Sequence, residues 1–171
     1  MDDVLELETR RKIYDLVAKN PGLHLSRIAE LLLMRTSLVE YHLIYLEKSQ
    51  IVIPSKESGY ARYYIRGAVG IEDKRIIAIL RQDVPLRIVL YLLKNVRSQH
   101  RDILENLDIA PSTLSYHLKK LVKHGIIAVH TYGEERGYYI TNREEILRLL
   151  MQYKPYNLIE SLRDIWVDLT V

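Results

Sequence analysis

Ser112, Thr113, Ser115, Tyr116, Lys119, Lys120 and Lys123 place three aliphatic hydroxyls, a phenol and three ammonium groups in one short stretch of chain. At about 100° per residue, Ser112, Ser115, Tyr116, Lys119 and Lys123 share one side of a helix, with Thr113 and Lys120 flanking. Leu114, Leu118 and Leu121 form the opposite, apolar stripe. Small hydroxyls in the first turn of such a face approach base edges and phosphates, and the phenol donates to a phosphate or packs on a sugar. The lysines supply attraction. Duplex DNA is the partner this face suits; a merely solvated face of ordinary lysines is the plainer alternative. His117 lies at the edge of the stripe, where a phosphate contact and an imidazole bonded to backbone are both open.

The same string occurs twice. Thr36-Ser37-Leu38-Val39-Glu40-Tyr41-His42-Leu43-Ile44-Tyr45-Leu46 returns 75 residues later as Pro111-Ser112-Thr113-Leu114-Ser115-Tyr116-His117-Leu118-Lys119-Lys120-Leu121. The register holds on both sides: Ile13 meets Ile88, Asn20 meets Asn95, Ile28 meets Ile103, Ile51 meets Ile126, and Tyr63-Tyr64-Ile65 meets Tyr138-Tyr139-Ile140. A period this long means two copies of one small domain. The outward face of the first copy differs. Ser37 and Tyr41 are kept as candidate contacts, but Glu40 would face phosphates that repel it unless it accepts from a cytosine amino group. Ile44 and Tyr45 replace Lys119 and Lys120 with apolar surface, which suits a protein contact or a homodimer. The second copy is therefore expected to be the better DNA reader.

Charge follows the same division. From Lys74 to Asn142 there are eleven Lys or Arg against six Asp or Glu, a net of +5, whereas residues 1–71 carry ten against nine, a net of +1.

Helical spacing predicts a helix over Arg10–Lys19 that Asn20-Pro21-Gly22 stops, a second over Leu25–Leu33, and a third that Thr36-Ser37 caps and that runs to Ser49. Ile51-Val52-Ile53 and Tyr63-Tyr64-Ile65 read as a hairpin around Gly59. In the second copy Asp83 is a candidate cap for a helix that starts at Pro85 and runs to Val96. A short helix follows over Asp102–Leu107, a third opens at Pro111 and ends at Gly125, and strands Ile126–Tyr132 and Tyr138–Thr141 close the unit. Each Tyr-Tyr pair should send one ring to the core and one outward. Lys56 and Arg62 flank the first hairpin, and His130 and Arg136 the second; such cations reach backbone or minor groove in this kind of arrangement.

Helix, helix, turn, helix, hairpin is the order of a winged helix-turn-helix. Ser115-Tyr116-His117-Leu118-Lys119-Lys120-Leu121-Val122-Lys123-His124-Gly125-Ile126 resembles the recognition helix of ArsR-like and related archaeal winged-helix regulators, and Asn20-Pro21-Gly22-Leu23-His24-Leu25 resembles the turn entering their second helix. The resemblance covers nearly all of residues 8–142. It implies a mainly α fold with small β-hairpins (α+β), built as two tandem winged helix-turn-helix domains plus a C-terminal helical extension. The expected divisions are residues 1–70, 71–142 with a bridging helix, and 143–171. It also implies a DNA-binding transcriptional regulator. A tandem winged-helix protein-interaction module within transcription or chromosome machinery stays open beside it.

Residues 157–169 place Leu158, Leu162, Ile165 and Leu169 on one stripe, suited to a homodimer helix or to folding back on the repeat. No apolar run approaches the roughly 20 residues of a membrane span. With no cysteine among 171 residues there is no thiolate metal site and no disulfide. The six histidines show no ligand spacing, so neither metal nor cofactor is expected. No phosphate-binding glycine loop, paired catalytic carboxylates or Ser-His-Asp arrangement stands out, so a non-enzymatic protein is expected; with no apolar span and no cysteine, a cytoplasmic one is the simplest reading.

Overall fold

The structure, a computed structural model, describes residues 5, 7–56, 59–132 and 135–153. The chain divides into two compact units, the first ending at Ala78 and the second starting at Ile79. The division falls within the bridging helix rather than before it.

The first unit contains α1 (Glu8–Lys19), β1 (Leu23–His24), α2 (Leu25–Leu31), α3 (Thr36–Lys48), β2 (Val52–Ser55) and β3 (Arg62–Ile65), and α4 (Ile71–Leu80) carries the chain onward. The second repeats the order as α5 (Asp83–Lys94), β4 (Ser98–Gln99), α6 (His100–Leu107), α7 (Pro111–Lys123), β5 (Ile127–Tyr132), β6 (Glu135–Ile140) and α8 (Arg143–Tyr153). Each unit has a three-stranded antiparallel sheet, ordered β1-β3-β2 and β4-β6-β5. The hairpins pair Val52 with Ile65 and Ile127 with Ile140.

Burial follows the period. Ile13, Val17, Ile28, Val39, Leu43, Leu46 and Val52 are buried in the first unit. Their counterparts Ile88, Leu92, Ile103, Leu114, Leu118, Leu121 and Ile127 are buried in the second. Full burial of one such side chain is worth about 1.5–3 kcal/mol, so this shared set is what each unit folds around.

Several local expectations are corrected. The third helix of the first unit begins at Thr36 with Arg35 as its N-cap, and α5 begins at Asp83 with Gln82 as its N-cap; neither cap bonds through its side chain. The chain turns helical before Ser37 and Pro85 can sit beyond a cap, so Thr36 and Asp83 are already helical. The helix expected from Asp102 starts at His100, because Gln99 and Asp102 form a reciprocal capping box that closes the first turn. Strands β1 and β4 pass unseen in the sequence, since two residues carry no alternation. The expected helix over 157–169 lies outside the described residues.

The tyrosine pairs also diverge. Tyr64 is fully buried, as expected of one ring per pair, with Tyr63 half-buried. In the second copy neither ring is buried: Tyr138 is half-buried and Tyr139 is 36% exposed.

The repeat reaches the backbone as well. Leu33 has φ 54° and its counterpart Asp108 has φ 47°, both at the turn before the third helix. After that helix, Gln50 has φ 57° and Gly125 has φ 67°. Left-handed backbone costs a residue with a Cβ about 1–2 kcal/mol, against the roughly 0.5–1 kcal/mol that glycine loses in chain entropy. Leu33 is 95% exposed, so it recovers almost nothing through packing. Leu33→Gly should therefore stabilise the chain by about 0.5 kcal/mol or more, and Gly125→Ala should destabilise it by about 1 kcal/mol. Urea unfolding curves of the two variants check the opposite signs.

Candidate nucleic-acid interface

Leu114, Leu118 and Leu121 are buried, and that fixes the rotation of α7. Ser112, Lys119 and Lys123 are consequently exposed, and Tyr116 is 62% exposed. Pro111 occupies the first turn of α7 and the Ala110 cap offers no side-chain bond, so the N–H groups at this end lack a side-chain cap. The helix carries three lysines and no acid. Arg136, on β6 opposite Thr131, is exposed, and so is Lys56 beyond the end of β2.

The other expected contacts are committed elsewhere. Lys120 is half-buried and its Nζ donates to Gln82 Oε1 at 2.9 Å, which ties α7 to the cap of α5. Its ammonium is a structural link rather than an open phosphate contact. Arg62 is buried, and Nη1 donates to the Gly22 carbonyl at 2.8 Å. A guanidinium held in the sheet that way does not extend from the wing, and this corrects its reading as a wing cation. Ser115 is half-buried, with Oγ 3.1 Å from His100 Nε2, so it fastens α7 to α6. Thr113 is half-buried beside it. Sequence reasoning missed His100 and Gln82; the signal for His100 was an imidazole standing 75 residues after Leu25, a polar group for an apolar one at the same helix start.

His117 lies half-buried at the edge of the stripe, without the expected backbone bond at Nδ1. Its Nδ1 is buried without a hydrogen-bond partner, as is that of His42 one period earlier, and the ring meets Tyr116 edge-on at 5.0 Å between centroids. Tyr41 and His42 repeat the arrangement at 5.2 Å. Burial lowers the pKa of both imidazoles, and the Lys120 ammonium lowers that of His117 further. Both effects disfavour the cationic form of His117.

The matching face of α3 has another character. Ser37 and Glu40 are exposed, and Tyr41 is 62% exposed. Leu38, Ile44 and Tyr45 add exposed apolar surface, and the Arg10 guanidinium lies 3.6 Å above the Tyr45 ring. Glu40 and Glu47 face Lys48 as the only cation of this helix. Their field is felt locally: burial raises the Tyr63 phenol, and Glu47 and Glu40 raise it further. Among the described residues, no group of three His, Asp or Glu side chains could hold a metal ion.

A lowered folded-state pKa has a definite consequence for stability. His24, like His42 and His117, is lowered first by burial. Below the unfolded-state value of about 6.5 the unfolded chain takes up protons that the folded chain refuses. Stability from these imidazoles is thus complete above that pH and falls as the pH drops through it. NMR titration should place all three below 6.5, and His42→Leu should flatten the loss of urea stability between about pH 6.5 and 5.5. Titration at or above the ordinary value would contradict this.

Comparison with known proteins agrees with the architecture. Residues 81–128 match a family model described as winged helix-turn-helix DNA-binding, and residues 7–76 match one described as an N-terminal HTH domain. A relative from Methanocaldococcus jannaschii, an uncharacterized HTH-type transcriptional regulator, is 33% identical over 147 residues. That match covers 86% of this chain and 36% of the relative, so the chain spans about a third of the curated protein it matches. Structures of HlyU from Vibrio cholerae are 20% identical. The reduced form covers 46% of this chain and 84% of its own at a TM-score of 0.40, and a second HlyU structure covers 47% and 87% at 0.41. Both units thus have the winged helix-turn-helix fold, in tandem.

Proposed function

We propose that this chain is a DNA-binding transcription regulator that reads duplex DNA through its second domain. The observation that carries the reading is the outward face of α7, where Ser112, Tyr116, Lys119 and Lys123 stand exposed with no acid on the helix. A helix of this width and charge enters the major groove with its N-terminal turn towards base edges and its lysines towards phosphates. Arg136 extends the contact from the wing, and Thr113 and Ser115 lie beside the exposed face. The match of residues 81–128 to a DNA-binding winged helix-turn-helix and the regulator from Methanocaldococcus both support this reading. It needs no cofactor and no catalysis, and it places the protein with the DNA in the cytoplasm.

The first domain has a different task in this proposal. Glu40 opposes phosphate, and Leu38, Tyr41, Ile44 and Tyr45 present apolar surface, so α3 serves a protein contact such as a second copy of the chain. Ser37 then lies beside that contact rather than on bases, and Lys56 stands exposed on the first wing. Among the described residues no helix is long and apolar enough to cross a membrane.

Fluorescence anisotropy with a mixed-sequence duplex at several salt concentrations tests the division. Removing one cation that neutralises a phosphate lowers the slope of log affinity against log salt by about 0.9. Lys119→Ala and Lys123→Ala should each flatten the slope by about that amount, while Lys120→Ala should leave it unchanged and Glu40→Lys should not strengthen binding. No binding at low salt would overturn the reading and leave the protein-interaction module. For the first domain, Ile44→Glu should shift the sedimentation of any self-associated species to monomer.

A further inference from the structure

The two domains also differ at a place away from both third helices. In the second, Leu92, Val96, Arg97, His130, Tyr139, Ile140 and Arg143 line a cleft of about 310 Å³ between the end of α5, the base of the wing and the start of α8. That volume is at the lower end of the range for small-molecule sites. One period earlier stand Gly22, Ser55 and Ala68 in place of Arg97, His130 and Arg143. Three neutral small residues have become three nitrogen bases.

The physical reason the cleft exists is visible in the first domain. There Tyr64 lies over Gly22 so closely that a Cβ on the glycine would meet the phenol oxygen at 3.1 Å and Ile77 Cγ2 at 3.0 Å. The phenol donates to the Lys74 carbonyl at 3.2 Å, and the ring is fully buried. The second domain has Arg97 where that packing needs glycine, so the corresponding Tyr139 ring is not packed away. It remains 36% exposed and forms one side of the cleft.

The chemistry of the lining is one-sided. No carboxylate is among the described lining residues. Arg143 donates through Nη1 to the Leu93 carbonyl, which anchors its guanidinium at the cleft edge. Arg97 is exposed and forms no ion pair among the described residues. Leu92, Val96, Ile140 and the Tyr139 ring supply the apolar part of the lining.

We propose that this cleft binds a small organic anion, a carboxylate or phosphate head on a flat apolar body. Arg97 and Arg143 take the anionic head, which matches guanidinium geometry. Tyr139, Leu92, Val96 and Ile140 take the body. His130 borders the site on β5, and β6 carries both Tyr139 and the wing residue Arg136. The site stands on the cleft alone and does not depend on how the protein reads DNA.

Titrating the full, nitrogen-15-labelled chain with benzoate, phenyl phosphate, benzyl alcohol and inorganic phosphate tests the proposal. Benzoate or phenyl phosphate should give saturable amide shifts at Arg97, His130, Tyr139 and Arg143, with a Kd of about 1 mM or tighter, and which of the two binds better identifies the head. Amides of Gly22, Ser55, Tyr64 and Ala68 should stay still as an internal control. Benzyl alcohol and inorganic phosphate should each bind at least about tenfold more weakly, because one lacks the charge and the other the body. Arg97→Gln, an exposed change that leaves the spectrum otherwise folded, should weaken binding by a similar factor, as should Arg143→Gln. No saturable shift by either organic anion at roughly 10 mM, or equal binding by benzyl alcohol or by bare phosphate, would overturn the proposal. So would unchanged affinity in Arg97→Gln.

Discussion

Burial of one leucine stripe governs what each domain can offer a partner. Val39, Leu43 and Leu46 in α3, and Leu114, Leu118 and Leu121 in α7, sit in their cores at the same three helical positions. Each is worth about 1.5–3 kcal/mol, far more than any exposed ion pair on these helices. The stripe therefore sets the rotation of the helix, and the outward residues take whatever orientation follows. A shared inward face leaves selection free to change the outward one. In α7 that face is lysine and hydroxyl; in α3 it is carboxylate, tyrosine and aliphatic surface.

The same separation explains why cations of similar sequence position have different tasks. Lys119 and Lys123 lie on the open side of α7, whereas Lys120 is turned towards the Gln82 side chain at the head of α5. Arg136 stands exposed on its strand, but Arg62 is drawn into the sheet by the Gly22 carbonyl. A buried guanidinium bonded to a carbonyl stabilises the turn before β1 and cannot reach out from the wing as a contact. Ser115 likewise sits on the helix with the lysine face, yet its hydroxyl meets His100 and holds α6 and α7 together.

Much of the fold was legible because a period of 75 residues repeats the core pattern, and apolar positions at helical spacing have few other readings. The third helices, the hairpins and the outward set Ser112, Tyr116, Lys119 and Lys123 came from that pattern directly. Arg62, Lys120 and Ser115 did not, since their partners Gly22, Gln82 and His100 lie 40, 38 and 15 residues away and only folding brings them near. Strands β1 and β4 escaped because two residues cannot show alternation. The fate of Tyr139 was also hidden: its counterpart Tyr64 is buried, and only the clash expected at Gly22 shows why an arginine there changes the outcome.

The central claim is that the outward face of α7, and not that of α3, meets duplex DNA. The chain has no cysteine, so a single introduced thiol reports one position without ambiguity. Ser112→Cys and Ser37→Cys occupy equivalent exposed places in the first turns of the two helices. Each variant, labelled with the same short photoreactive group, is irradiated with a mixed-sequence duplex at low salt. The account predicts efficient crosslinking from position 112 that added salt abolishes, and only background from position 37. Equal crosslinking from both, or crosslinking from 37 alone, would contradict it.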